Sequence, residues 1–226
     1  MPLLRRAASL PVLSAAFVVL TALSMGVLLP LDRELHRYWS QEHTPYATDL
    51  FLMLDALAGQ AVAVPVLALT AAVLGWRARS WEPLRMVLLV EAAFFGGVGT
   101  LKLLLARGTP AMEDPHFFVG RLDGTGWQGI SYPSGHTAEA VLIYGAAVYL
   151  LCTHLQLGRG ARGALLVAWA GTVLLTVGVA WWLGFHWVTD LVAGLLLGGV
   201  LLHLVVLADQ WFTERRPRVL LPPALD

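Results

Sequence analysis

Charge is scarce in this sequence and cysteine is almost absent. Of the 226 residues, 13% are Asp, Glu, Lys or Arg and 58% are hydrophobic, with a mean hydropathy of +0.69. That balance lies outside the range of soluble globular domains, so an integral membrane protein is expected. Cys152 stands alone in an apolar run, which excludes an internal disulfide and a cysteine metal cluster. The formal net charge is zero and the arginines fall in short clusters, leaving no electrostatic footprint for nucleic acid. Repeats and low-complexity tracts are also missing. One helical domain over residues 1–226 is therefore expected, with a core at about 50–208, an N-terminal anchor and outer amphipathic segment at 1–49, and a cytoplasmic tail at 209–226.

What is present is a series of long apolar runs. A helix needs roughly 20 apolar residues to cross ~30 Å of hydrocarbon, and such runs lie near 10–31, 51–76, 84–105, 135–154, 164–185 and 188–208. The expected fold class is all-α, a polytopic membrane protein with six transmembrane helices and both termini on one side. The first run follows Arg5 and Arg6 and passes a weak cleavage signal at Ala22, Leu23 and Ser24, yet it stays apolar beyond the length of a secretion signal and reads as an anchor. With the N-terminus inside, ten arginines fall in cytoplasmic segments and five basic residues, Arg33, Arg37, Lys102, Arg107 and Arg121, fall outside. This bias predicts a cell-membrane protein with cytoplasmic termini.

That layout brings four polar positions from different spans to the outer face: Lys102, the Ser134–His136 stretch, His186 and Asp190. Ionisable groups near hydrocarbon are functional hypotheses by default. In FHWVTD, His186 and Asp190 are four residues apart and share a face on continuous helix, so the carboxylate can hold one imidazole nitrogen and leave the other free. In SYPSGH, Pro133 and Ser134 read as a helix start, where unpaired N–H groups and the positive dipole end favour an anion, with His136 beside them. Two histidines, a carboxylate, a lysine and a helix N-terminus suit phosphoryl transfer.

These residues resemble the type 2 phosphatidic acid phosphatase (lipid phosphate phosphatase) superfamily, whose pattern is K-x6-R-P, P-S-G-H and S-R-x5-H-x3-D. KLLLARGTP from Lys102, then Pro133, Ser134, Gly135 and His136, then VAWWLGFHWVTD ending at Asp190 carry the likeness over roughly residues 50–208. The resemblance implies a phosphatase without cofactor or metal, acting on a lipid phosphate such as a polyprenyl diphosphate, phosphatidylglycerophosphate, phosphatidate or lipid A. It implies His186 as nucleophile, Asp190 as its orienting acid, His136 as general acid and then base, and Lys102, Ser134 and the Gly135 backbone as phosphate ligands. Its partners are that substrate and the surrounding membrane lipids.

Two departures stand out: Thr109 occupies the place of the first arginine, and Val179 and Ala180 that of Ser-Arg. Each lost donor to a transition-state oxyanion is worth ~3 to 4 kcal/mol. Arg107 or Arg121 is expected to compensate by holding phosphate, Arg121 from a loop long enough to cover the site. Glu139 lies one turn after His136 on roughly the same face, while Glu91 and Asp55 read as structural groups within spans. Trp181, Trp182, Phe185 and Trp187 read as an interfacial belt. Three rival readings remain: a lipid phosphotransferase, a weakened relative that only binds lipid phosphate, and a metal-dependent intramembrane hydrolase using His136, Glu139, His186 and Asp190. A non-enzymatic scaffold or transporter has less support, since no repeated broken half-helices are evident.

Overall fold

The structure, a computed structural model, describes residues 9–37, 45–120 and 126–214, and all the regular elements there are helical. Helices α1 (Leu10–Ser24) and α2 (Leu29–Leu35) are bent by 83° at the four residues between them. Then come α3 (Pro45–Asp55), α4 (Gln60–Ala78) and α5 (Glu82–Ala93), which continues through a π-helical segment (Phe94–Gly99) into α6 (Thr100–Leu105). Helices α7 (Gly135–His154), α8 (Arg159–Trp182) and α9 (Val188–Glu214) complete the bundle. Five helical stretches are long and apolar enough to cross a membrane, and α1 with α2 makes a sixth if the bent pair is one span.

The six runs expected from hydropathy all correspond to helices, but two contain breaks. The first stops at Ser24 and turns sharply, and the second is interrupted at residues 56–59 between α3 and α4. The last helix extends to Glu214, six residues into the segment assigned to the tail. Arg5, Arg6, Arg215, Arg216 and Arg218 lie outside the described residues.

Helix α7 is the centre of the bundle. Its partners are α9, α4 and α8, and Ala138, Leu142, Ile143 and Ala146 on it meet Leu67, Val90, Val98, Leu197 and Leu201 in one continuous core. Hydrocarbon is as apolar as leucine, so close backbone approach through small residues does much of the work that water exclusion does in soluble bundles. Gly194 on α9 shows this: a Cβ there would lie 2.7 Å from the Ser134 carbonyl oxygen at the start of α7. The start of α7 and the first turn of α9 are thus held against each other, and the Ser134 N–H donates to the Asp190 carbonyl at 3.0 Å. At the other end of the bundle Arg85 on α5 pairs with Asp209 on α9 at 2.6 Å, and Tyr149 on α7 donates to the same carboxylate.

Residues 106–120 and 126–134 pack at the end of α6. Ala106 adopts a left-handed conformation (φ 39°) that ends the helix, and the N–H groups of Phe118 and Gly120 donate to the carbonyls of Leu105 and Ala106. Ser131 N–H donates to the Arg107 carbonyl at 2.7 Å, which lays the start of SYPSGH beside the turn after α6.

Candidate active site

Lys102, Gly135, His136, Glu139 and His186 all line one cavity of about 1050 Å³ at this end of the bundle. It reaches along the π-helical segment to Phe95 and Leu103, both largely exposed on the outside of the bundle. A polar floor with apolar walls on a face of the bundle matches an amphiphilic ligand better than a small soluble one.

His186 lies in the turn between α8 and α9, two residues before the helix begins, so the shared-face geometry expected on continuous helix is replaced by a loop. The pairing survives: Nδ1 is 3.6 Å from Asp190 Oδ2, both side chains being nearly or fully buried. A third group joins them. Ser131 Oγ lies 3.2 Å from His186 Nδ1 and donates a short hydrogen bond to Asp190 Oδ2. The Trp187 N–H also donates to Oδ2, at 3.1 Å. With Nδ1 held from behind, Nε2 is the ring nitrogen left for substrate. Burial pushes the His186 imidazole below the ordinary histidine range, with Lys102 and His136 acting the same way against the carboxylate of Asp190. A neutral, nucleophilic ring at neutral pH is the consequence.

Lys102, the chain's single lysine, donates to the Ile130 carbonyl at 2.7 Å and the Ser131 carbonyl at 3.4 Å. Its stem runs beside Gly135, where a Cβ would make ordinary van der Waals contact with Lys102 Cε at 3.4 Å. His136, on the first turn of α7, presents a side chain that is 34% exposed.

Ser134 stands at the helix start as expected, but not in the place of a phosphate ligand. It is fully buried, and its Oγ accepts from the Thr137 N–H at 3.4 Å as the N-cap of α7. It supports the helix start and does not line the cavity.

Arg107 is likewise not at the cavity wall, and the expectation that it holds phosphate gives way to another arrangement. The chain turns at Ala106 and sends the guanidinium inward, to complete burial. Nη1 donates to Asp190 Oδ1 at 2.5 Å and to Thr189 Oγ1 at 2.7 Å; Nη2 donates to Asp32 Oδ2 at 2.6 Å; Nε donates to the Pro115 carbonyl at 2.8 Å. Asp32 in turn accepts from the Thr189 N–H and hydroxyl. Arg107 therefore stands behind Asp190, and its ring neighbours are Phe117 and Trp187. Trp187 is buried and donates from Nε1 to the Gly108 carbonyl, so it belongs to the site's support and not to an interfacial belt. Arg121 lies outside the described residues.

Thr109, where the family pattern has arginine, lines the cavity with a hydroxyl that has no hydrogen-bond partner among the described residues. Val179 and Ala180, in place of Ser-Arg, are buried near the end of α8. Among the described residues no three His, Cys, Asp or Glu side chains are grouped to hold a metal ion. Ser131 and Asp32 were missed by sequence reasoning. Asp32 carried no signal, because its partners lie 75 and 157 residues away.

Comparison with known proteins gives a consistent result. The sequence model of the PAP2 superfamily matches residues 81–214. Phosphatidylglycerophosphatase B of Bacillus subtilis (strain 168) is 26% identical over 168 residues, which span 74% of this chain and 77% of that protein. The crystal structure of a transmembrane PAP2-type phosphatidylglycerolphosphate phosphatase from Bacillus subtilis is 22% identical, with a TM-score of 0.71 over 92% of this chain and 96% of that one. The two chains share a fold.

Proposed function

The chain belongs to the PAP2 superfamily, and on that footing we propose that it is a membrane lipid phosphatase that works through a phosphohistidine on His186. The observation that carries the reading is the meeting of His186, His136 and Lys102 on one cavity, with Asp190 and Ser131 behind the first histidine.

In the first step Nε2 of His186 attacks phosphorus, the bond from phosphorus to the lipid oxygen breaks, and His136 gives its proton to that oxygen. The lipid alcohol leaves. In the second step water attacks phosphorus, its proton passes to His136, and the phosphorus–nitrogen bond breaks to release phosphate and restore both rings. Asp190 and Ser131 orient Nδ1 and stabilise the positive charge that the ring acquires on attack. Lys102 and the first turn of α7 balance the charge on the phosphoryl oxygens.

A glycerophospholipid phosphomonoester is the proposed substrate class, phosphatidylglycerophosphate first among the candidates, since the similar Bacillus subtilis protein is named for that activity. The apolar walls at Phe95 and Leu103 suit an acyl chain drawn from the bilayer. We further propose that the site opens to the extracytoplasmic side of the cell membrane, on the bias of arginines toward the other loops, and that residues 1–226 form one domain.

The test is phosphate release by the purified protein in lipid vesicles from phosphatidylglycerophosphate, phosphatidate and a polyprenyl diphosphate, beside the His186→Ala variant. Release is expected to be fastest from phosphatidylglycerophosphate and absent in the variant. Turnover that survives in His186→Ala refutes the mechanism.

A further inference from the structure

The second span is broken in a place that hydropathy gives no reason for. Helix α3 ends at Asp55, residues 56–59 turn, and α4 starts at Gln60. Asp55 is buried, 7% exposed, in a helix otherwise suited to hydrocarbon. A carboxyl group in such a position is costly unless it is paired, and intramembrane acids of this kind mark functional sites. Among the described residues, its ionic contact within 4 Å is one group: Asp55 Oδ2 lies 3.7 Å from His136 Nε2. Asp55 Oδ1 is buried and accepts from no donor among the described residues.

The turn is built against that histidine. Gly59 packs beside the ring, where a Cβ would make ordinary van der Waals contact with His136 Nε2 at 3.4 Å. Two turns further along α7, the Tyr144 hydroxyl donates a short hydrogen bond to the Leu57 carbonyl, fastening the turn to the helix that carries His136. Break, carboxylate and ring are thus held in one register. The ring is also bordered by Glu139 on its own helix and by Lys102 and His186 across the cavity.

We propose that Asp55 is the positioning residue of His136: its carboxylate holds the Nε2 edge of the imidazole, so that the other ring nitrogen meets the leaving oxygen in the first step and the attacking water in the second. Each histidine of the site then has its own carboxylate, Asp190 for His186 and Asp55 for His136. The separation of 3.7 Å closes to a hydrogen bond with a small ring movement, as apo-state contacts of this kind do on substrate binding. The proposal rests on the phosphatase reading above, and its test is arranged to fail separately from it.

Two lipid-like esters distinguish positioning of a proton donor from general support. One is an alkyl phosphate, whose leaving alkoxide needs a proton; the other is an acyl-bearing 4-nitrophenyl phosphate, whose leaving phenolate does not. Ester cleavage is followed in single turnovers by the full-length protein. Wild type cleaving both, and His186→Ala neither, establishes the phosphatase reading on its own. Asp55→Asn is then expected to slow alkyl ester cleavage about 10 to 100-fold, a fraction of the roughly 100 to 10,000-fold that a general acid supplies, and aryl ester cleavage by less than about threefold. Asp55→Glu, which keeps the charge and guards against a variant that fails to fold, is expected to stay within about fivefold of wild type on the alkyl ester. In a His136→Ala background, Asp55→Asn is expected to change nothing further. Equal losses on the two esters, a negligible loss on the alkyl ester, or additive losses with His136→Ala overturn the proposal.

Discussion

Replacing Arg107 by methionine tests the support behind the nucleophile. The guanidinium is completely buried and makes four side-chain hydrogen bonds, two of them to the carboxylates of Asp32 and Asp190, which are also completely buried. Methionine fills a similar volume without a charge, so the substitution removes the guanidinium that pairs both carboxylates. Removing one partner of a buried ion pair costs about 3 to 5 kcal/mol. Asp32→Asn is milder, because Arg107 keeps Asp190 and the amide oxygen still accepts from Thr189; a loss of about 1.5 to 3 kcal/mol is expected for the weakened charged hydrogen bond. The assay is denaturant unfolding in mixed detergent micelles, with turnover kinetics on the folded fraction. Since Arg107 lies behind Asp190 and outside the cavity wall, Arg107→Met is expected to lower kcat and leave KM within about threefold, the pattern of an interaction felt only in the transition state. Unfolding within about 1 kcal/mol of wild type refutes the burial argument. A raised KM with kcat intact means that the arginine holds phosphate after all.

Three further outcomes follow from the same geometry. Ser131→Ala removes the hydroxyl shared by His186 Nδ1 and Asp190 Oδ2; kcat is expected to fall about 10 to 100-fold with KM little changed, and rescue by threonine checks that the hydroxyl is responsible. Lys102→Met deprives the cavity of its lysine and is expected to cut kcat/KM by roughly 100 to 1,000-fold, as loss of a preorganised transition-state donor does. The acid limb of the kcat/KM profile reports protonation of His186 in the free enzyme. Because burial holds that ring below the ordinary histidine value, it stays neutral as pH falls through that value, and the limb is expected below about pH 6.5. A limb above that value in wild type contradicts the assignment.

Much of this molecule was legible in its sequence, though unevenly. Apolar runs marked five of the spans, with a sixth if the bent α1–α2 pair is one span, and H-x3-D with PSGH pointed to the two histidines and Asp190, because short spacings survive whatever the helix ends do. The pairing of His186 with Asp190 holds even though α9 starts after the histidine. The helix breaks were hidden, since MGVL at 25–28 and ALAG at 56–59 are as apolar as their surroundings and only Gly26 and Gly59 hint at a turn. Arg107 was unreadable for a related reason: a left-handed residue at 106 redirects the chain just past the helix, where a helical period has no meaning. Asp32 was passed over in a segment read as an outer amphipathic stretch, and only the 83° bend after α1 brings it to Arg107 and Thr189. Ser131 and Ser134 stand three residues apart and do different things. The helix start took Ser134 as its cap, leaving Ser131 for the nucleophile.

The most direct test of the account is to look for the covalent intermediate. A lipid phosphate labelled with phosphorus-32 is mixed with excess enzyme, quenched in alkali within one turnover and mapped by peptide. An alkali-stable, acid-labile label is expected on the peptide bearing His186 in wild type and none in His186→Ala. Label on any other residue, or substrate consumed with no protein-bound label at any time point, contradicts the phosphohistidine mechanism.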